Sequence, residues 1–332
     1  MRLNRNLGSW DWDALANEFD MENLEEWGFT DNDFDVAIED IGDEQDANPK
    51  IDDTKELQET WGTEKHQIWC IGEHRLLCGD STKGKEVKSL MGKNTATLCF
   101  TSPPYWVGFE YENEKEKESI VQHINKVSEN LAVFTKGKIV INTGNIASIT
   151  TAQKITGSKQ VALLIDWWRD ALNKNNYLLR HIRVWAKYGR VTPSRANDKI
   201  DMHWEYIGMF TEENGNAGLI STFKREDDNI GIKKQTPEWA VTGVWTDIQG
   251  NARANQHIAS QPVELVERYI KMYTHKNDLM IEPYCGSGST MVAAQNLGRR
   301  CYGMELQPGY CAVILQRMSE AFPNIEIERN EG

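Results

Sequence analysis

The sequence lacks the features of membrane proteins, zinc proteins and disulfide-stabilised proteins. No apolar run approaches the roughly 18 residues of a membrane span, and no signal peptide opens the chain, so we expect a cytoplasmic protein. The six cysteines form no C-x-x-C pair, which argues against a zinc site or disulfides and predicts buried thiols in a reducing compartment. A chain of 332 residues has room for one large domain and an appendage.

Basic residues are outnumbered by acidic ones, and the imbalance is confined to the first 60 residues. The net charge is −13, but the first 60 residues hold 19 acidic and 4 basic residues, which leaves 31 acidic and 33 basic residues in the remainder. The larger part of the chain is therefore almost neutral. A basic cleft that binds a nucleic-acid backbone is compatible with this distribution.

The most informative stretch is Thr101-Ser102-Pro103-Pro104-Tyr105, which follows a run of apolar residues over 96–100. The apolar run predicts a buried strand, and the two prolines end it and stiffen the turn. A hydroxyl group, a carbonyl of fixed direction and an aromatic ring then stand at the carboxyl end of a strand, where open α/β sheets bind ligands. This set suits a flat heterocycle that carries an amino group. Taken alone, it also fits a strand-ending turn with a tyrosine in the core.

A second motif lies near the other end of the chain. Leu279-Met280-Ile281 predicts a strand and 290–297 predicts a helix, so Gly286 and Gly288 occupy a strand-to-helix turn that a ligand can approach closely. Met291 replaces the third glycine of a dinucleotide fingerprint, and no Lys-Ser/Thr pair follows as in a P-loop. The turn therefore suits a nucleoside without a pyrophosphate.

The strand predicted after this helix ends in an acid. Arg300-Cys301-Tyr302-Gly303-Met304 predicts the strand, and Glu305 ends it. A carboxylate at this place is positioned to accept hydrogen bonds from both ribose hydroxyls of a bound nucleoside.

Together these motifs resemble the amino-directed DNA methyltransferases that use S-adenosylmethionine. Ser102-Pro103-Pro104-Tyr105 matches the catalytic tetrapeptide of that family, and 282–290 matches its cofactor loop. The catalytic motif precedes the cofactor motif, as in the β class of these enzymes, and the resemblance extends from roughly Gln67 to Pro323. It implies an α/β, Rossmann-like class I methyltransferase fold. We therefore expect a mostly parallel, twisted sheet with one antiparallel strand and helices on both faces.

The resemblance also implies which residues form the site. Asp80 would meet the adenine amino group, and 256–265 would contact the methionine part of the cofactor, with Gln261 where the family usually has lysine. The catalytic residues would be Ser102, Pro103, Pro104 and Tyr105, with no metal. The expected cofactor-binding residues are Asp80, Thr101, His257, Gln261, Pro262, Glu282, Pro283, Tyr284, Cys285, Gly286, Ser287, Gly288, Ser289, Thr290 and Glu305.

The expected reaction is methyl transfer to the exocyclic amine of a base flipped out of double-stranded DNA. In the family, serine before Pro-Pro-Tyr is more usual for cytosine N4, and Asp or Asn for adenine N6, so Ser102 favours cytosine N4. Methylation at cytosine C5 is disfavoured because no Pro-Cys pair ends a strand where a nucleophile is needed. An adenine N6 enzyme, an RNA methyltransferase and a non-catalytic DNA-binding relic remain alternatives.

DNA contacts are expected from basic residues and one aromatic residue. The candidates are Trp106, Lys187, Arg190, Arg195, Lys224, Arg225, Lys233 and Lys234. We expect target recognition by an insertion at about 211–255, with 108–120 as a second candidate region. A homodimer and a nuclease partner remain open.

The first 65 residues are expected to form an acidic appendage, and 66–332 the methyltransferase domain. Residues 9–15 predict a short capped helix, and 31–59 are acidic and poor in apolar residues, which predicts a flexible linker. The opening resembles the tail of ParB-like domains that are fused to some phage and bacterial methyltransferases, which suggests a ParB-like partner. A simple docking or regulatory tail is the alternative that we favour.

Overall fold

The computed structural model describes residues 45–105, 117–146, 162–187, 204–219, 237–248 and 261–330. The chain divides into two compact units, Met1–Gln45 and Asp46–Gly332. The first unit lies outside the described residues except for Gln45, so the predicted helix at 9–15 and the ParB-like resemblance lie outside them as well. The second unit holds both motifs.

A ten-stranded sheet with the strand order β12-β1-β2-β11-β10-β3-β4-β8-β7-β9 forms the centre of this unit, and β5 pairs with β6 separately. The strands of the described residues are β1 (Ile68–Ile71), β2 (His74–Cys78), β3 (Ala96–Thr101), β4 (Thr135–Thr143), β5 (Asn145–Ile146), β6 (Ala162–Leu163), β7 (Tyr177–Ala186), β8 (Trp204–Glu212), β9 (Val244–Trp245), β10 (Leu279–Glu282), β11 (Arg300–Glu305) and β12 (Ile327–Asn330).

The sheet is mostly parallel. Strands β2, β11, β10, β3 and β4 run parallel to one another, and β8 runs antiparallel to both β4 and β7. At the opposite edge, β1 forms an antiparallel hairpin with β2 and also pairs antiparallel with β12. Strand β8 corresponds to the reversed strand that the family resemblance implies, and β1 adds a second one.

Helices connect the strands and cover the sheet. The helices of the described residues are α1 (Thr54–Trp61), α2 (Gly84–Met91), α3 (Lys117–Phe134), α4 (Leu164–Asn173), α5 (Glu238–Val241), α6 (Val263–Tyr273), α7 (Ser289–Asn296) and α8 (Pro308–Ala321), with a 3-10 turn at Ile51–Asp53 before α1. None of the helices in this described part is long and apolar enough to cross a membrane.

Alternate strand residues fill two cores on opposite faces of the sheet. Leu98 and Phe100 of β3 pack in the core under α6, α7 and α8, whereas Cys99 packs in the core under α2, α3 and α4. Strands of a parallel sheet that are buried on both faces have continuous apolar sequences, which is why the sequence alone revealed β3 and β10. The predicted α/β class with helices on both faces is confirmed.

The chain before β1 packs against the last helix. Leu57 of α1 is buried with Ala312 and Val313 of α8, and Trp61 Nε1 donates to Gln316 Oε1 at 3.0 Å. The sequence predicted a linker over this stretch and a domain start at 66, whereas the second unit starts at Asp46. Two apolar residues one turn apart are enough to dock a short helix, but they are a weak signal in an acidic segment.

Candidate cofactor and methyl-transfer site

The site lies where the order of connections reverses along the sheet. Strands β3 and β10 are parallel neighbours, with Met280 opposite Leu98 and Ile281 opposite Cys99. The chain leaves β3 toward β4 on one side and leaves β10 toward β11 on the other. Such a switch point opens a crevice at the carboxyl ends of the strands. The structure therefore brings the two motifs together at this crevice.

Glu282, the last residue of β10, joins the two motifs directly. Its Oε1 accepts hydrogen bonds from Thr101 Oγ1 and, at 3.0 Å, from the Tyr284 backbone N–H. Its Oε2 accepts one from Thr290 Oγ1 at 2.9 Å. Burial raises the pKa of Glu282 to about 8, although all three hydrogen bonds oppose that rise. Glu282 thus links the strand end before Ser102 to the first turn of α7.

The turn between β10 and α7 is built for close approach. Gly286 and Gly288 have φ of +53° and +87°, which glycine adopts without strain. A Cβ at Gly288 would lie 3.2 Å from two carbon atoms of Ile314 on α8. The loop therefore packs closely on α8 at Gly288, whereas a Cβ at Gly286 would meet no atom within 4 Å.

Glu305, at the end of β11, contacts this turn. Its Oε2 accepts a hydrogen bond from the Gly286 N–H and its Oε1 one from the Gln307 N–H, both at 2.9 Å. Burial raises the pKa of Glu305 to about 7. The structure places this acid beside the cofactor turn, where the ribose of a nucleoside is expected.

Asp80 lies just beyond β2, the strand next to β11. Its Oδ1 accepts hydrogen bonds from the Thr82 N–H at 2.9 Å and the Thr82 hydroxyl at 2.7 Å. Burial raises the pKa of Asp80, but the bonds from Thr82 together with the nearby His123 and Lys83 hold the pKa below its usual range. Asp80 is thus an ionised hydrogen-bond acceptor beside the strand that carries Glu305.

Gln261 lies beside the first turn of α7 and is followed by Pro262 and then α6. Its Nε2 donates to Thr290 Oγ1 at 3.3 Å, and its buried Oε1 has no hydrogen-bond partner within the described residues. An unpaired buried carbonyl oxygen fits the ammonium group of the cofactor's methionine part. His257, the other residue expected there, lies outside the described residues.

Ser102 and Tyr105 contact each other in the turn after β3. Ser102 Oγ lies 3.0 Å from the Tyr105 hydroxyl oxygen, and both side chains are half-buried. Of the two prolines between them in the sequence, Pro103 is buried and Pro104 is half-buried. The ring of Tyr105 lies against Gly144 after β4, where a Cβ would come within 2.9 Å of the Tyr105 Cε2 atom. Glycine at 144 is therefore required by the position of the tyrosine ring.

Four further residues near the site were not predicted from the sequence: His123, Asn142, Gly144 and Glu205. His123 Nε2 on α3 lies 2.7 Å from the Tyr284 hydroxyl, and Gly144 makes room for Tyr105. Asn142, at the end of β4, donates from Nδ2 to Glu205 Oε2 at 2.9 Å. Only the glycine, directly after an apolar strand, gave a signal in the sequence.

Few of the expected DNA contacts can be placed. Lys187 forms an ion pair with the buried Glu205 and lies 4.9 Å from the centre of the Trp185 ring. The other candidates, which lie outside the described residues, are Trp106, Arg190, Arg195, Lys224, Arg225, Lys233 and Lys234.

The described parts of the expected recognition insertion, 211–219 and 237–248, include the end of the interior strand β8 and the edge strand β9. Residues 211 and 212 end β8, and Val244 and Trp245 form β9. Trp245 is buried, and the Arg183 guanidinium lies 4.3 Å from the centre of its ring.

Within the described residues, no group of three or more His, Cys, Asp or Glu side chains is arranged to hold a metal ion.

Comparisons with known proteins agree with this geometry. The family model described as DNA methylase matches residues 96–316. The Type II methyltransferase M.Cfr9I of Citrobacter freundii is 25% identical over 253 residues, which cover 68% of this chain and 82% of that protein. M.MthZI of Methanothermobacter thermautotrophicus is 25% identical over 287 residues, with 74% and 77% covered.

Solved structures show the same fold. A candidate DNA modification methylase of Thermus thermophilus, TTHA0409 in complex with S-adenosyl-L-methionine, is 26% identical with a TM-score of 0.55, and 76% of this chain and 95% of that chain are covered. The cytosine-N4-specific PvuII DNA methyltransferase, 16% identical with a TM-score of 0.55 and with 75% and 86% covered, shares the fold. The expected cofactor, S-adenosyl-L-methionine, is confirmed. The chain belongs to the DNA methylase family, whose members methylate the N4 or N6 amino group of a base.

Proposed function

We propose that this protein is a site-specific methyltransferase that acts on cytosine N4 in double-stranded DNA. The observation that carries the proposal is the contact between Thr101 and Glu282, which holds Ser102 beside the cofactor turn. A base extruded from the duplex reaches the carboxyl end of β3 and the cofactor reaches that of β10. Because these strands are neighbours, the amine and the methyl donor share one crevice.

The cofactor-binding roles follow from the contacts of the turn. Glu305 accepts hydrogen bonds from the ribose hydroxyls, and Asp80 accepts one from the adenine amino group. Gln261 Oε1, buried and unpaired within the described residues, accepts one from the methionine ammonium. When bound, S-adenosyl-L-methionine supplies a methyl group that is already activated for transfer.

The roles at the target base follow from the tetrapeptide. The amine of cytosine is a poor nucleophile because its lone pair is delocalised into the ring. The Ser102 hydroxyl and the Pro103 carbonyl accept hydrogen bonds from its two N–H groups, which favours a tetrahedral nitrogen with a free lone pair. The C–N bond forms as the C–S bond breaks, and the surplus proton of the nitrogen leaves to solvent. Tyr105 stacks on the base and packs on Gly144.

Cytosine is preferred over adenine because of Ser102. In the family that the motifs resemble, serine before Pro-Pro-Tyr is more usual for cytosine N4. Adenine N6 is the second candidate. For recognition of the DNA sequence we propose the insertion at about 211–255. For contacts with the DNA backbone we propose Lys187 and the basic residues near it in the chain, Arg190 and Arg195.

A single experiment separates these functions. The purified full chain is incubated with unmethylated plasmid DNA and the cofactor, and the DNA is digested to nucleosides for mass spectrometry, with a Ser102→Ala variant as control. N4-methyldeoxycytidine supports the proposal, and N6-methyldeoxyadenosine replaces it with the second candidate. If no methylated base is found in the DNA, the DNA assignment is overturned. This holds whether RNA is methylated in a parallel reaction or no product forms at all.

A further inference from the structure

Arg317 on α8 holds the cofactor turn from behind. Its Nη1 donates to the Ser287 carbonyl oxygen at 2.9 Å and to Ser289 Oγ at 3.2 Å. Only 4% of the arginine side chain is exposed. Ile314, one helical turn earlier, packs on Gly288. Helix α8 therefore contacts the turn through two side chains on the same face.

The charge of this buried guanidinium is balanced from a distant part of the chain. Arg317 Nε donates to Asp46 Oδ1 and Nη2 to Asp46 Oδ2, both at 2.8 Å. Paired bonds of this kind are the strong form of an arginine–carboxylate contact. A buried cation that loses its counter-ion is costly because its charge is then uncompensated in a poorly solvated place. Asp46 therefore stabilises the Arg317 side chain in the orientation from which it donates hydrogen bonds to the cofactor turn.

Asp46 is the first residue of the second compact unit. The stretch between it and α1 is fixed to α8 a second time, through an exposed ion pair between Lys50 and Glu320. The end of the acidic N-terminal region is thus attached to α8 at two points. One pair, Asp46 with Arg317, also contacts the cofactor turn, whereas the contacts of Lys50 and Glu320 do not include it.

We propose that Asp46 and Arg317 form a positioning pair that holds the cofactor turn in its binding shape, so that the N-terminal end of this unit sets the affinity for S-adenosyl-L-methionine. The inference concerns the cofactor site and rests on the proposed function for its activity readout. Neither residue touches the reacting atoms. The pair acts through Ser287 and Ser289, whose backbone and hydroxyl groups it orients.

The test compares Asp46→Asn with Glu320→Gln in the full chain. Asp46→Asn removes the buried arginine's counter-ion, whereas Glu320→Gln removes a surface pair between the same two segments. Calorimetric titration with S-adenosyl-L-homocysteine is expected to give a Kd about tenfold higher for Asp46→Asn and unchanged for Glu320→Gln. Asp46→Glu, which restores the carboxylate, should recover most of the affinity. The KM for the methyl donor should rise while kcat and the KM for DNA stay within about twofold.

Thermal melts accompany each variant so that titrations are made well below the melting temperature. Equal Kd values for Asp46→Asn and Glu320→Gln, in a wild type that binds the ligand and methylates DNA, would overturn the positioning pair and leave the proposed function intact. A wild type that binds S-adenosyl-L-homocysteine but methylates no DNA would overturn the proposed function, and the Kd comparison would still decide on the pair. A wild type that binds no ligand would overturn both.

Discussion

Thr101 and Glu282, 181 residues apart in the chain, share a buried hydrogen bond at the centre of the site. Thr101 precedes the catalytic tetrapeptide and Glu282 opens the cofactor turn. The same carboxylate holds Thr290 at 2.9 Å, so the strand that presents the base-binding loop and the helix that follows the cofactor turn share one acceptor. We therefore propose that the alignment of the methyl donor with the target amine depends on Glu282.

Removing this acceptor should damage both halves of the site. In Glu282→Ala the hydroxyls of Thr101 and Thr290 are left buried without their partner, at a cost of about 1–3 kcal/mol each. We expect a lower melting temperature, a higher Kd for S-adenosyl-L-homocysteine and a lower kcat. Glu282→Gln keeps an oxygen acceptor and should fall between the wild type and the alanine variant. Wild-type kinetics in the alanine variant would show that Glu282 is not required for alignment.

Adding one methyl group at Gly144 should displace the stacking residue. In Gly144→Ala the new Cβ would lie 2.9 Å from Tyr105 Cε2 and 3.0 Å from Cδ2, so the ring must move. Misplacing a group in an active site can lower the reaction rate about a hundredfold. We therefore expect kcat/KM for DNA to fall by between about tenfold and a hundredfold. The Kd for S-adenosyl-L-homocysteine should not change.

Val133→Ala is the control, because Val133 near the end of α3 is exposed and lies outside both the proposed site and the proposed recognition insertion. It should methylate DNA at the wild-type rate. If Gly144→Ala is equally active, Tyr105 does not need its observed position.

Ser102 and Tyr105 should contribute differently to the reaction. Ser102→Ala removes an acceptor for the amine, and loss of one positioned polar group in an active site typically lowers kcat by about a hundredfold. Tyr105→Phe loses only the hydroxyl that lies 3.0 Å from Ser102 Oγ, and the ring remains to stack on the base. We expect a loss of less than about tenfold for Tyr105→Phe. Single-turnover rates with saturating DNA and cofactor measure both, and a Ser102→Ala rate equal to that of the wild type would contradict the proposed mechanism.

Cofactor affinity should depend on pH through Glu305. Burial raises the pKa of this carboxyl to about 7, and only its ionised form accepts hydrogen bonds from both ribose hydroxyls. Below about pH 7 the free enzyme must release a proton to bind, so affinity should fall by up to about tenfold for each further pH unit and level off at higher pH. Titrations with S-adenosyl-L-homocysteine between about pH 5.5 and about pH 8.5, in steps of about half a unit, measure the profile.

Glu305→Gln provides the control for the pH profile. The amide does not ionise, so its weaker affinity should be almost independent of pH over the same range. An unchanged slope in this variant would assign the titration to another group.

The sequence predicted those parts of the site that depend on local pattern. Apolar runs located β3 and β10, and the helix before it helped to locate β11; the residues that end these strands are Thr101, Glu282 and Glu305. Two glycines located the cofactor turn. Each of these signals comes from a few consecutive residues whose strand or turn conformation is determined by their own chemistry.

Contacts set by the packing of distant segments could not be predicted in this way. The pairing of Asp46 with Arg317 depends on how α1 and the turn before it dock on α8, which only a few apolar residues such as Ile51, Leu57 and Trp61 indicate within an acidic stretch. The bond between His123 and Tyr284 depends on the angle of α3 across the sheet. Basic residues near one another in the sequence predicted Lys187 as a DNA contact, but not its ion pair with Glu205, which lies on the neighbouring strand β8.

The adjacency of β3 and β10 also has a consequence for biosynthesis. A ribosome completes β3 at residue 101 but does not begin β10, its neighbour in the middle of the sheet, until residue 279. The crevice therefore cannot assemble until most of the polypeptide has emerged. Until then β3 lacks its β10 neighbour, and pairing the two strands is a non-local contact of the kind that slows folding.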